Sequence, residues 1–144
     1  MIVLDTNVLS ELARRVPDRA VLAWFEGRAA ADLCLSAVTV AEMAYGVARL
    51  PSGRRRNEIA ERVERVIVGF GGRVLPFGEE AGRAFGPIVA ERDRAGRPVA
   101  TADAQIAAIC RVHDAALATR NVRDFLGTGV RVVDPWTAPI AGRS

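Results

Sequence analysis

The sequence is poor in the residues that build zinc sites and disulfide frameworks. It contains one histidine, His113, and two cysteines, Cys34 and Cys110, which lie far apart. A structural zinc site needs several closely spaced thiolate and imidazole ligands, so this class of site is excluded. Both cysteines lie in apolar surroundings, and we predict that they are free core residues, since a disulfide is not expected in a reducing cytosol.

Long hydrophobic runs are also missing. The longest apolar stretches fall far short of the roughly 20 residues that span a bilayer. The chain begins directly with Met1-Ile2-Val3-Leu4, without the charged start and small-residue cleavage site of a secretory signal. We therefore expect a cytoplasmic protein with no membrane partner. Its 144 residues, half of them apolar, suit one globular domain.

Lysine is absent, so all 20 basic residues are arginine, against 17 acidic residues. Arginine is the better bidentate ligand for phosphate, but a net charge of +3 permits nucleic-acid binding without demonstrating it. Three consecutive arginines, Arg54, Arg55 and Arg56, begin a predicted helix, where the helix dipole does not favour them. They form either a solvated face or a patch that contacts phosphate.

Short apolar strands alternate with helical segments along the whole chain. The predicted strands are residues 2–4, 33–35, 74–75, 115–118 and 130–133. This alternation predicts an α/β domain with a central, mainly parallel β-sheet flanked by α-helices. One helix is predicted at 79–94, with a break around Gly86-Pro87. Residues 137–144 are predicted to form a C-terminal tail.

Three acidic residues stand where a charge has little structural use. Asp5 directly follows the first buried strand, at the point where open α/β sheets carry functional groups. Glu42 and Asp103 each lie on an alanine-rich, apolar helix. Clustered carboxylates repel one another, and a hard divalent cation relieves that repulsion. If the strands are parallel neighbours, Ser36 and Asn121 reach the same edge of the sheet as Asp5.

Each acid also has a purely structural interpretation. Asp5 is a candidate cap for the helix that follows it. Glu42 forms a capping-box pattern with Thr39, three residues earlier, and Asp103 follows Thr101, a candidate helix cap. Sequence alone leaves both interpretations open for each acid, although their joint occurrence favours the metal site.

Four short motifs together resemble those of a known family. They are Leu4-Asp5-Thr6-Asn7, Thr39-Val40-Ala41-Glu42, Ala102-Asp103-Ala104-Gln105-Ile106-Ala107 and Ala118-Thr119-Arg120-Asn121. In order and spacing they resemble the motifs of PIN-domain ribonucleases, and the chain is most similar to bacterial VapC-type toxins, a group that includes FitB-like proteins. The resemblance covers residues 1–136, which we take as the predicted PIN domain.

The resemblance implies an endoribonuclease dependent on Mg²⁺ or Mn²⁺, which acts as the toxin of a VapBC-type module. Its implied partners are an RNA substrate, a cognate VapB-type antitoxin and a second copy of the chain in a homodimer. Asp5, Glu42 and Asp103 match the metal-binding acids of the family. Thr6 and Asn7 would orient the first carboxylate, and Ser36 is a further supporting residue.

The chain departs from the family pattern at one position. The fourth acidic position falls on Asn121, which we count among the catalytic residues. Because Asn121 is not acidic, the number of bound metal ions, one or two, stays open. Asp124, three residues on, is expected to cap a turn or face solvent. Candidate RNA-binding residues are Arg120 and the triplet of residues 54–56. The alternative function is a weakly active or inactive domain of the same fold that binds RNA or a partner protein.

Overall fold

The computed structural model describes residues 1–139, which form five strands and six α-helices. The strands are β1 (Ile2–Leu4), β2 (Leu33–Ser36), β3 (Val74–Leu75), β4 (Ala116–Ala118) and β5 (Val132–Val133). The helices are α1 (Thr6–Leu12), α2 (Arg19–Glu26), α3 (Ala37–Ala48), α4 (Arg54–Gly69), α5 (Glu79–Arg94) and α6 (Thr101–Val112). Short 3₁₀ turns occupy Ala30–Asp32 and Val122–Phe125.

The strands form one sheet in the order β3-β2-β1-β4-β5, and every pairing is parallel. The prediction of an α/β domain with a parallel sheet is confirmed. β1 lies at the centre, with Ile2 opposite Leu33 on one side and Ala116 on the other. Because the carboxyl ends of β1, β2 and β4 share one edge, the residues that follow these strands are brought together there.

The sheet separates two apolar clusters. Val3 belongs to the cluster formed with α5 and α6, and Leu4 to the cluster formed with α1 to α4, since successive strand residues face opposite sides. Cys34 and Cys110 are both free and buried in the first cluster, as predicted. Burial raises the pKa of the Cys110 thiol to about 12, so this side chain stays uncharged in the core.

Helix α5 runs without a break through Pro87, so the predicted break at Gly86-Pro87 was wrong. Proline removes one backbone hydrogen bond from a helix. Pro87 is exposed, where water can satisfy the freed carbonyl, while Ala81 and Ile88 on the buried side hold the helix against α6. Packing therefore outweighs the local cost of the proline.

Thr39 and Thr101 were wrongly predicted as helix caps, because neither residue occupies an N-cap position. Ser36 is the N-cap of α3, because its Oγ accepts a 3.0 Å hydrogen bond from the Thr39 backbone amide. Thr39 lies inside this helix rather than at its start. Helix α6 has Ala100 at its N-cap position, so Thr101 is its first residue and does not cap it.

No helix within residues 1–139 is long and apolar enough to cross a membrane. The tail predicted at 137–144 lies, from residue 140 onward, outside the described residues. Its first residues pack back on the chain, since the amides of Thr137 and Ala138 donate to the carbonyl of Asp134. The boundary at 136 stays a prediction.

Candidate active site

Asp5 is the centre of the site and is only 4% exposed. It follows β1 and is also the N-cap of α1, with Oδ1 accepting a 2.8 Å hydrogen bond from the Thr6 amide. Its other oxygen, Oδ2, accepts from the Thr119 hydroxyl at 2.7 Å and the Asn7 side-chain amide at 3.3 Å. Asp5 can therefore cap α1 and belong to the site at the same time, because Oδ1 binds the Thr6 amide and Oδ2 binds Thr119 and Asn7.

Thr119 connects the loop after β4 to the start of α1. Its Oγ1 accepts hydrogen bonds of 3.0 Å from the Asn7 side chain and from the Asn121 amide. Asn7 in turn accepts from the Arg120 amide at 3.1 Å. We had assigned no role to Thr119 from the sequence. The available signal was its position, since it follows β4 directly, as Asp5 follows β1.

Glu42 joins the network through Thr6. The Thr6 hydroxyl donates to Glu42 Oε1 at 2.6 Å, while its backbone amide holds Asp5. The capping-box interpretation of Glu42 was wrong, because the Thr39 amide is bound by Ser36. Ser36 itself is fully buried and organises the first turn of α3, so it supports Glu42 through that helix.

Asp103 lies in the first turn of α6, partly buried, and has a strongly perturbed pKa. Burial, followed by the negative charges of Asp5, Asp124 and Glu42, raises its pKa to about 6. Burial also raises the pKa of Asp5, with the charges of Glu42 and Asp124 adding to this and the bonds from Thr119 and Thr6 opposing it. The carboxylates therefore act on one another's pKa, although they come from separate elements.

Asp124 adds a fourth negative charge to the site. It lies on the exposed Val122–Phe125 turn, in keeping with the predicted turn, but its charge reaches both Asp5 and Asp103. Asn121 precedes the same turn and contributes its backbone amide to Thr119. The fourth acidic group near the site is thus Asp124, three residues beyond the position that the motif predicted.

The site has the negative charge of a cation-binding site, because Asp5, Glu42, Asp103 and Asp124 act on one another there. The salt bridges found within residues 1–139 involve none of Asp5, Glu42, Asp103 or Asp124. No three His, Cys, Asp or Glu side chains in that range are spaced to close around one ion. Mg²⁺ keeps several waters and binds through one or two carboxylates. The residues therefore fit a hydrated Mg²⁺ or Mn²⁺.

The predicted RNA-binding arginines occupy two different places. In α4, Arg54 bonds to Glu58 at 3.1 Å with its side chain 93% exposed, Arg55 is exposed, and Arg56 approaches Ser52 at 3.5 Å. No ion pair links this triplet to the acids in the part of the chain that is described.

Arg120 lies beside the site, because its backbone amide holds Asn7. Its guanidinium stacks 4.8 Å from the centre of the Trp136 ring. A cavity of about 380 Å³ adjoins Glu42 and Thr6 and contains three arginines that sequence reasoning missed, Arg14, Arg49 and Arg62. Arg62 lies in α4, whereas Arg14 and Arg49 follow α1 and α3, so no local sequence pattern identifies the three.

Residues 2–128 match the sequence profile of the PIN domain. The chain belongs to the PIN domain family. The matched part of this PIN domain contains all four motifs named above, with Asp5, Glu42, Asp103 and Asn121. The family resemblance inferred from these motifs is confirmed.

Two curated relatives and one solved structure are similar over almost the whole PIN domain. VapC ribonuclease Y4jK of Sinorhizobium fredii is 43% identical over 137 residues, covering 94% of this chain and 98% of the relative. Toxin FitB of Neisseria gonorrhoeae is 41% identical over 137 residues, covering 94% and 99%. The crystal structure of FitAcB from Neisseria gonorrhoeae has a TM-score of 0.87 at 40% identity, covering 96% of this chain and 100% of that chain.

Proposed function

We propose that this PIN domain is the endoribonuclease toxin of a VapBC-type toxin–antitoxin module, and that it hydrolyses RNA phosphodiester bonds with the help of Mg²⁺ or Mn²⁺. The observation that carries the proposal is the cluster formed around the buried Asp5, in which no carboxylate has an arginine partner within residues 1–139. The names of the relatives, a VapC ribonuclease and a toxin, support the same activity.

Asp5, Glu42 and Asp103 would hold the metal ion, with Asp124 adding charge from the exposed turn. When bound, such an ion supplies Lewis acidity, which polarises a phosphoryl oxygen and lowers the pKa of a water. The protein supplies the fixed positions of the carboxylates. Thr6 holds Asp5 and Glu42 together, since it donates to both, and partners of this kind orient metal ligands.

The second oxygen of Asp5 is held by Thr119 and Asn7. The bond from Thr119 opposes the effect of burial on the pKa of Asp5, because it stabilises the charged form. Asn121 would fix the loop through its bond to Thr119 and present a neutral side chain toward the substrate. Its lack of charge leaves Asp124 to supply the fourth acid.

RNA would approach the acids over arginine side chains on both sides. Arg120 lies beside the site, and the cavity next to Glu42 contributes Arg14, Arg49 and Arg62. The arginines at residues 54–56, of which Arg54 and Arg55 are exposed, are candidates for more distant phosphate contacts. Guanidinium groups bind phosphate in a bidentate fashion, so these side chains suit a polyanionic strand.

We further propose a VapB-type antitoxin as the neutralising partner and a homodimer as the working assembly, in the cytoplasm where RNA is available. Tyr45 and Val68 are 68% and 65% exposed on α3 and α4, which leaves apolar surface for an interface. Light scattering at micromolar concentration should give the mass of two chains. A monomer would contradict the dimer without affecting the proposed chemistry.

The proposed activity is tested by incubating the purified protein with labelled RNA, with and without a chelator. We expect cleavage that stops with EDTA and returns with Mg²⁺ or Mn²⁺. Asp103→Asn should reduce the rate by about a hundredfold or more, because it removes a proposed ligand. Asp93→Asn, an exposed change of the same kind on α5, is the matched control. Binding of RNA without cleavage would favour the alternative, an inactive RNA-binding PIN domain.

A further inference from the structure

A second cavity lies beside the Val122–Phe125 turn. It has a volume of about 530 Å³ and is lined by Arg92, Arg97, Pro98, Arg123 and Leu126. We call this cavity the Arg92 pocket. Three of its five lining residues are arginines and none is acidic. Among the salt bridges of residues 1–139, none involves these three arginines.

Arg92 forms the rigid part of the pocket. It is only 7% exposed, and its Nε donates to the carbonyl of Arg97 at 2.6 Å. Its Nη1 donates to the carbonyls of Asp124 and Leu126 at 2.9 and 2.6 Å. The buried guanidinium is thus held by three carbonyl groups, and among the ion pairs of residues 1–139 it takes part in none, although its charge acts on Asp103 at longer range. Its positive charge remains available to an anion that enters the pocket.

The segments of the chain that line the pocket also lead to the acids of the site. Arg97 belongs to the loop that leads into α6 and Asp103, and Arg123 directly precedes Asp124. Arg92 fastens both segments to α5. Its charge also acts on Asp103, whose pKa it lowers against the larger effects of burial and the neighbouring acids. The Val122–Phe125 turn and the loop before α6 therefore carry residues of both the basic pocket and the acidic site.

We propose that the Arg92 pocket binds a backbone phosphate of the RNA strand, next to the phosphate that is cleaved. Arg97 and Arg123 supply guanidinium groups that are exposed to solvent, while Arg92 fixes the loop and the turn that carry them. Two arginine forks can hold the oxygens of one phosphate in a bidentate manner. This inference rests on the proposed ribonuclease function, because the adjacent acidic site determines that the anion is RNA.

The test measures binding of a short, fluorescein-labelled single-stranded RNA in EDTA over a range of salt concentrations. Arg97→Gln and Arg123→Gln should each weaken binding by about tenfold, and should each reduce the slope of log affinity against log salt by about 0.7, the contribution of one phosphate contact in a single strand. Arg94→Gln is the matched control. Arg94 is exposed on α5, the helix that carries Arg92, and does not line the pocket. The salt dependence of RNA binding by Arg94→Gln should therefore equal that of the wild type.

The possible results distinguish failure of the proposed phosphate subsite from failure of the proposed ribonuclease function. If Arg97→Gln and Arg123→Gln behave like Arg94→Gln, the phosphate subsite is wrong, even when the wild type cleaves RNA. A wild type that binds RNA but does not cleave it in Mg²⁺ or Mn²⁺ contradicts the ribonuclease, while the arginine effects on binding would still stand. Binding of polyglutamate, an acidic polypeptide, is measured for the same variants and compared with binding of RNA. Variants that lose polyglutamate binding but keep RNA binding would assign the pocket to an acidic protein and overturn the RNA proposal.

Discussion

The hydroxyl of Thr119 donates a 2.7 Å hydrogen bond to Oδ2 of Asp5, although 114 positions separate the two residues in sequence. Both are buried, and both directly follow neighbouring parallel strands, β4 and β1. The bond fixes the orientation of the carboxylate and opposes the effect of burial on its pKa. Thr119 is therefore a positioning residue whose removal should affect the site more than the fold.

Thr119→Val keeps the shape of the side chain but removes this donor. Without it, the charged form of Asp5 is less stable and its orientation less fixed, so we expect metal affinity to fall by about 10- to 100-fold. Calorimetric titration with Mn²⁺ measures this directly. Thr128→Val is the control, because Thr128 is equally buried and donates at 2.6 Å to the Phe125 carbonyl. A Thr119→Val protein with unchanged Mn²⁺ affinity would contradict the role of this bond.

Asp124→Asn should weaken metal binding. Residue 121 is a neutral asparagine in the wild type, so Asp124 supplies the fourth negative charge of the site. The charge of Asp124 reaches both Asp5 and Asp103, and its loss makes the site less attractive to a divalent cation. We expect about a tenfold loss of Mn²⁺ affinity, since nearby charges at this range are worth on the order of 1 kcal/mol. Asp93→Asn serves as the control. Equal affinity in both variants would place Asp124 outside the site.

The stability of the metal-free protein should increase on mild acidification because of Asp103. Its pKa of about 6 in the folded protein lies above the ordinary value of 3.8, so the folded state takes up a proton first. As pH falls from about 7.5 to 5, this group should add about 1 kcal/mol to the free energy of unfolding. Urea denaturation in EDTA, taken as the difference between wild type and Asp103→Asn, isolates the contribution.

Saturating Mg²⁺ should reverse that pH dependence, because protons then compete with the ion for the same carboxylates. Lower pH would release the ion and its stabilisation. The same urea experiment in Mg²⁺ measures the reversal. A wild type whose difference from Asp103→Asn keeps the same sign with and without Mg²⁺ would show that the ion does not bind at Asp103.

The sequence predicted the fold and drew attention to the three acids, whose roles stay predictions, because both depend on strong local signals. Apolar strands alternating with helices indicate a parallel sheet, and a charge after a buried strand or on an alanine-rich helix is conspicuous, as at Asp5 and Glu42. The break at Pro87 was predicted wrongly because local propensity ignores packing. Proline is costly in a helix, but its exposed position in α5 leaves the buried side intact.

Contacts between distant segments were beyond the reach of sequence reasoning. Thr119 is an ordinary polar residue until β4 is placed beside β1, where its hydroxyl meets Asp5. The sequence predicts that Asp124 caps a turn or faces solvent. Its effect on Asp103 could not be predicted, because it depends on how the turn lies against α6. Nothing in the sequence points to a role for Arg92, and only the structure shows its carbonyl partners.

The most direct test of the account is the rate of RNA cleavage by Asp5→Asn in saturating Mg²⁺, compared with the wild type. Asparagine can still accept the Thr6 amide and cap α1, so the fold should remain and the metal-free protein should melt at the same temperature or higher. Cleavage should be abolished in this folded protein, because the buried carboxylate at the centre of the site has lost its charge. A folded Asp5→Asn protein that cleaves RNA at the wild-type rate would contradict the assignment of the site.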